Sequence, residues 1–290
     1  MSSVLAYFTG YFDVAAEGWD DPVEGRIVLG EDRLVLAASE DERVTIPLTA
    51  VFDVATGNQA AFADPMPGSP VTVAYEQGTS RTTAVIAAGE TTIGKFTIVL
   101  FKALLSGTPV TIKHPAKIGG RVLDTPFKGG LLTLESGGVV FDTDEGPISV
   151  PLSSIVDFDR ETRTVDGTDR PVLIVVHVDN GEALTTLAAT DSPRKLSILG
   201  RYLRRTYDRV LESLQEISLG EPETETLTTL YSTGDMDVSL TSVLGEKPQT
   251  VKRLLHALHQ KGLIESGEHN PVLTAKGQIV VNRYLERINT

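Results

Sequence analysis

The chain has no cysteine, three methionines, one tryptophan and only 6% aromatic residues. Without cysteine there is no thiol nucleophile, no disulfide and no thiolate-bound zinc. No apolar run approaches the ~18 residues that cross a bilayer as a helix. The opening MSSVLAYFTGYFDV lacks both the basic n-region and the clean apolar h-region of a secretory signal. These absences read as a cytoplasmic chain.

Lysine is scarce, 10 against 16 arginines, and 26 basic residues face 39 acidic ones for a net charge of −13. The imbalance is uneven: residues 1–107 hold 6 basic and 14 acidic residues, or −8, while 108–220 stand at −3 and 221–290 at −2. An acidic, lysine-poor chain suits a molar-salt cytosol, where a Debye length of about 3 Å screens self-repulsion. The composition therefore reads as halophilic, with an ordinary acidic mesophile protein as the plainer alternative. At 290 residues and 41% apolar, the chain is globular and long enough for two or three domains.

What is present is a repeat. VTIPLTAVFDV (Val44 to Val54) returns as ISVPLSSIVDF (Ile148 to Phe158), with Pro47, Leu48 and Asp53 matched by Pro151, Leu152 and Asp157, each 104 positions on. Upstream, GRIVLGEDRLVLA (Gly25 to Ala37) pairs with GGLLTLESGGVVFD (Gly129 to Asp142). Downstream, Val71 to Ala88 pairs with Val172 to Ala189, where Asn180-Gly181 accepts the positive φ of a tight hairpin. Each half ends in a helical pattern, Thr91 to Leu105 and Ser192 to Ile217.

Period-two alternation predicts seven strands in the first half: near Tyr7–Phe12, Arg26–Leu29, Arg33–Ala37, Val44–Pro47, Val51–Ala55, Val71–Tyr75 and Thr83–Ala87. A comparable set is predicted in the second. Antiparallel strands followed by one helix suggest a small bent barrel plugged at one end, the pleckstrin-homology or GRAM order, made twice. Pro47 and Pro151 would break adjacent strands at an edge or bend.

After a Glu- and Thr-rich linker, LGEPETET, the pattern turns helical. Leu227–Gly234, Val238–Gly245 and Lys247 onward read as three helices, the last stopped by Gly262. A short strand at Leu263–Glu265, a second strand and a helix capped by Thr274 complete a winged helix-turn-helix. The expected fold is α+β: barrel 1 at 1–107, barrel 2 with a long helix at 108–220, winged helix at 221–290.

GETTIGKF (Gly89 to Phe96) matches GxxxxGK between a strand and a helix. A phosphate loop needs a Ser or Thr hydroxyl on magnesium where Phe96 stands. The equivalent loop of the repeat, TDSPRKL (Thr190 to Leu196), keeps the architecture without either glycine. Nucleotide binding is rejected on both grounds. DTDEG (Asp142 to Gly146) lacks the closing ligands of a calcium loop and reads as a hairpin turn. His256 and His259 have no third ligand nearby, and the remaining histidines read as scattered. No catalytic residue, cofactor or metal site is expected.

One charge pattern stands out. On the helix Ser192 to Ile217, Leu196, Leu199, Leu203, Tyr207, Val210, Leu214 and Ile217 mark an inner face, expected to pack on the second barrel. Arg194, Arg201, Arg204, Arg205 and Arg209 gather opposite, as a solvated face or a docking site for an acidic partner. In the winged helix, Lys252, Arg253, His256 and Lys261 mark a candidate surface, and Lys247 adds to its local charge. A transcription regulator with sensing barrels is the alternative reading. Against nucleic acid, the unit is −2 overall and has no basic arm. The −8 first half would likewise be repelled by an anionic membrane.

In length, in its two halves carrying RIVLGEDRLVLA…TIPLTAVFDV and LLTLESGGVVFD…ISVPLSSIVDF, and in its C-terminal LIES…LTAKG, the chain resembles the archaeal taxis protein family CheF. The resemblance implies a non-enzymatic adaptor linking the phosphorylated response regulator CheY to the archaellum switch proteins FlaCE and FlaD, with CheC and CheD as further partners. It implies a place near the motor, at the cell pole or membrane periphery. It assigns no binding residues, and a homodimer is left open.

Overall fold

Alternation builds the first sheet. In β1 (Val4–Val14), β2 (Val23–Gly30), β3 (Arg33–Ala37) and β4 (Arg43–Pro47), every second side chain turns inward. Phe12, Ile27, Leu29, Leu34, Leu36 and Ile46 are fully buried as a result. β5 (Val51–Thr56), β6 (Ser69–Gln77) and β7 (Ser80–Ala88) complete the order β4-β3-β2-β1-β7-β6-β5. All seven predicted strands are present in this computed structural model, which describes residues 3–16, 22–56, 66–135, 137–234, 239–267 and 270–288. Helix α1 (Glu90–Leu105) supplies Ile93, Phe96, Leu100, Phe101 and Leu104 to the buried set, at the three- and four-residue spacing of one helix face.

The second sheet repeats the first. It contains β8 (Thr108–Ile118), β9 (Arg121–Val122), β10 (Lys128–Leu134), β11 (Gly138–Thr143), β12 (Gly146–Pro151), β13 (Ile155–Val165), β14 (Thr168–Asp179) and β15 (Glu182–Thr190). Its order is β12-β11-β10-β8-β15-β14-β13, with β9 paired only to β8. Set β9 aside and the two orders are the same.

The quoted repeat is reproduced at the level of dihedral angles. Pro47 has φ −62° and ψ 133°, Pro151 φ −61° and ψ 133°, and each precedes a three-residue 3-10 turn, Leu48–Ala50 or Leu152–Ser154. Val51 and Ile155 then donate their backbone N–H to Leu48 and Leu152. The ladders shift register next, between Val51 and Asp53 and between Ile155 and Asp157. At each bulge the aspartate accepts from the following backbone N–H, Val54 at 2.9 Å and Phe158 at 2.8 Å. Glycine is required at equivalent points too: a Cβ on Gly25 would lie 2.3 Å from the Ala37 carbonyl oxygen, and one on Gly130 2.7 Å from that of Asp142.

Neither sheet closes among the described residues. β4 and β5 are the two edges of the first sheet, and β12 and β13 those of the second. Only a 3-10 turn separates the edges in sequence, so each sheet curls back towards itself, but no ladder joins them. The expected barrel is thus corrected to an open, curled sheet. Each of β4 and β12 also ends on a proline, Pro47 or Pro151, whose nitrogen has no hydrogen to donate.

The long helix α2 (Pro193–Gln215) precedes α3 (Glu221–Thr233), α4 (Leu240–Leu244), α5 (Pro248–Gln260), the two-strand ladder β16 (Ile264–Glu265) and β17 (Val272–Leu273), and α6 (Ala275–Ile288). The class is α+β, with two large antiparallel sheets and six α-helices among the described residues. The expected linker LGEPETET is instead mostly the first turns of α3. Pro222 is tolerated there because its missing N–H falls in the unbonded first turn, and Glu223 accepts the Gly220 N–H at 2.9 Å. Thr274 caps α6 as read, accepting the Gly277 N–H at 3.2 Å. Val238, where the second predicted helix began, lies outside the described residues.

By packing, the chain divides into two units. One is Met1–Pro109 with Leu131–Glu135 and Thr190–Arg205; the other is Val110–Gly130, Ser136–Ala189 and Thr206–Thr290. In the second, Leu227, Leu230, Leu258, Leu263 and Ile279 share one core with Val156 and Val178 of the sheet and Leu214 of α2.

Candidate interaction surfaces

Helix α2 carries the arginine stripe, and its apolar face is buried as expected at Leu196, Leu199, Leu203 and Leu214. Its first half, through Arg205, belongs to the first unit, so the expectation that the leucine face packs on the second barrel is corrected for Leu196, Leu199 and Leu203, while Leu214 does share a core with Val156 and Val178 of the second sheet. The seat there is well defined. Tyr202 lies against Phe101 with ring centroids 5.4 Å apart, and burial pushes its phenol pKa up. The Lys195 ammonium donates to the Leu104 carbonyl, and burial lowers its pKa.

Arg194 and Arg201 pair with carboxylates of that unit. Arg201 donates from Nε and Nη2 to Asp53, and Arg194 reaches Glu76 at 2.5 Å. Arg204 is exposed, Arg205 half-buried and Arg209 exposed. In the second unit, Tyr207 meets Phe158 edge-on at 5.6 Å, and Val210, Leu211 and Ile217 pack on the core of α3 to α6.

On α5, Val251 and Leu258 turn inward while Lys252, Arg253 and His256 are exposed. Lys261 sits differently. Its ammonium donates to both oxygens of Glu223, at 2.7 and 2.8 Å, and to the Ser218 carbonyl at 2.8 Å. That bond also holds the Glu223 carboxyl below its usual pKa. Lys261 therefore ties the start of α3 to the end of α5.

The phosphate-loop match folds as the start of an ordinary helix. Gly89 is the N-cap of α1, Lys95 is exposed, and Phe96 is 2% exposed with its ring 5.2 Å from that of Phe8. The position that would need a magnesium-binding hydroxyl is thus a core position. DTDEG closes β11 on β12, with the Thr143 hydroxyl donating to the Gly146 carbonyl and Lys128 paired to Glu145.

Two of the histidines read as scattered are neighbours. His114 of β8 and His177 of β14 flank Thr186 of β15: His114 Nδ1 lies 2.8 Å and His177 Nε2 3.0 Å from the Thr186 hydroxyl oxygen. Their rings stack at 5.7 Å and 14°. His177 is 2% exposed, and burial, with His114 beside it, lowers its pKa to about 4. Burial lowers that of His114 as well. Neutral rings suit such a site, where charge would be costly to desolvate. Sixty-three positions separate them, and only the strand order β8-β15-β14 brings them together.

The described residues thus form two curled sheets of one topology, with helices that carry exposed basic residues. Comparison with known proteins places the chain. Residues 4–209 match the family described as Archaeal Chemotaxis signal transduction system protein F. Taxis protein CheF2 of Halobacterium salinarum is 38% identical over 291 residues, covering 99% of both chains. Taxis protein CheF1 of the same organism is 28% identical over 255 residues, 87% of this chain and 84% of that one. The chain belongs to the archaeal CheF family, a family of taxis signal-transduction proteins and not a known enzyme family. No helix among the described residues is long and apolar enough to cross a membrane.

Proposed function

We propose that this protein is a non-enzymatic adaptor of archaeal taxis, joining phosphorylated CheY to the archaellum switch proteins FlaCE and FlaD, with CheC and CheD as further contacts. The observation that carries the reading is that the family match runs through both sheets and ends at Arg209, on the arginine helix itself. In a chain of −13, an exposed cationic helix face is suited to the aspartates and phosphoryl group of a response regulator. Arg204, Arg205 and Arg209 are the proposed contacts, and Arg194 and Arg201 serve chiefly to seat the helix. The two curled sheets act as pleckstrin-homology-like platforms and α3 to α6 as a winged helix, in a halophilic protein working beside the motor. Size-exclusion chromatography in molar potassium chloride tests this: phosphorylated CheY, this protein and FlaCE–FlaD should co-elute, and CheY should not join the switch proteins without it.

A second reading has one observation in its favour. The exposed face of α5 carries Lys252, Arg253 and His256, and the helix has no acidic residue. That face matches phosphate contact by a winged-helix regulator. A gel shift with genomic fragments in molar salt separates the two, since the adaptor predicts no retained fragment.

A further inference from the structure

The second unit contains a cavity of about 610 Å³ that the adaptor reading does not use. Two hairpin turns form one wall, Gly119-Gly120 and Asn180-Gly181, all four residues with positive φ. The C-terminal turn of α3, with Tyr231 and Thr233, forms another; β17 and Gln278 of α6 close it. The walls are fixed against each other. The Gly119 N–H donates to the Ala183 carbonyl at 2.9 Å. A Cβ on Gly181 would lie 2.6 Å from that of Val272, so only glycine lets the turn seat on β17. The volume is that of a small-ligand site.

Its chemistry points one way. Among the described lining residues none is basic, and Glu182 is the one acid. Among the described residues no cation lies within ion-pair distance of Glu182. Its directly paired cross-strand residue is Asp179, so two carboxylates face each other across the base of the hairpin. Like charges in that position destabilise a hairpin unless a positive group comes between them. The negative end of the α3 dipole, at Tyr231 to Thr233, adds to the same potential. Tyr231 is 45% exposed on the wall, where a ring face attracts a cation. Buried Gln278 and exposed Asn180 add polar partners.

From this combination we propose that the cavity binds an organic cation, an amine or a guanidinium, with Glu182 as its counter-ion and the Tyr231 ring as its platform. Among the described lining residues an anion finds no cationic partner, and a purely apolar ligand would leave Glu182 without one. The cation can be a small molecule or the side chain of a basic peptide, which share this chemistry.

Calorimetric titration in molar potassium chloride, with agmatine in one arm and the tripeptide Gly-Arg-Gly in the other, tests the site. One-to-one binding of agmatine that weakens tenfold or more in both Glu182→Gln and Tyr231→Leu supports a small-molecule site. Binding of the tripeptide alone, lost in the same variants, supports the same chemistry with a partner's side chain as its source. Glu182→Gln removes the repulsion with Asp179, so the ligand-free variant should melt no lower than the parent. If it fails to fold, Tyr231→Leu decides. Failure of both probes, or affinity unchanged in the folded variants, overturns the proposal whether or not the adaptor reading stands.

Discussion

Arg201 and Asp53 form a fork: Nε and Nη2 of the guanidinium donate to the two carboxylate oxygens, each at 3.0 Å. The residues are 148 positions apart, and both lie in the first unit. Asp53 does two jobs, because it also accepts the Val54 N–H at the bulge of β5. Its counterpart Asp157 makes the same local bond, to Phe158. Asp53 thus carries the arginine bond beside a local device that both halves of the repeat share.

That pairing predicts an asymmetry. Asp53→Ala should destabilise its unit by more than Asp157→Ala does, with the excess reporting the fork. The pair is partly solvated, so the excess should be about 1 kcal/mol or less. A double-mutant cycle of Asp53→Asn and Arg201→Gln, read by denaturant melts, measures the coupling. Arg201→Glu sets like charges face to face and should melt below the parent, whereas Arg209→Glu, exposed at its position, should not.

Acid should weaken the fold through His177. Its folded pKa of about 4 lies below the unfolded value of 6.5, so the unfolded state takes up the proton first. The stabilisation is complete above pH 6.5 and is lost as pH falls towards 4. It amounts to about 3 kcal/mol, from about 1.36 kcal/mol per pKa unit. The lowered pKa of His114 acts in the same direction. Melts from pH 7.5 to 4.5 should fall less steeply for His177→Gln than for the parent. Parallel curves would remove the histidine pair from the account.

Phe96 separates a core position from a phosphate loop. Phe96→Ala should cost on the order of 3–5 kcal/mol, given its 2% exposure. Phe96→Ser, which restores the missing hydroxyl, should be similarly destabilised and should bind no ATP by equilibrium dialysis. Stoichiometric ATP binding by the parent, abolished by Lys95→Ala, would refute this.

Salt should stabilise the chain. With −13 overall and −8 in residues 1–107, self-repulsion is strongest when unscreened. The melting temperature should rise with potassium chloride concentration. A flat or falling curve speaks against halophilic design.

The local grammar of the fold was legible. Alternation marked all seven strands of the first half, since each strand buries one face, and Asn180-Gly181 marked a hairpin whose φ values are 48° and 80°. The repeat gave the topology twice. What stayed hidden depended on distant partners. The leucine face of α2 showed that it must be buried but not where, because a helix face names no partner. The first turns of α3 looked like a linker, since their stabilisation comes from Glu223 at the cap and Lys261 from another helix. The pairing of His114 with His177 depends on strand order, which no local pattern encodes.

The central claim is that this protein meets the response regulator through the arginine helix. The most direct measurement is calorimetric titration of phosphorylated CheY into the parent and into Arg204→Glu with Arg209→Glu, both checked for folding by circular dichroism. The account predicts that the folded double variant binds at least tenfold more weakly, about 1.4 kcal/mol, while Lys252→Glu with Arg253→Glu on α5 changes nothing. Equal affinity for the parent and a folded α2 variant would contradict it.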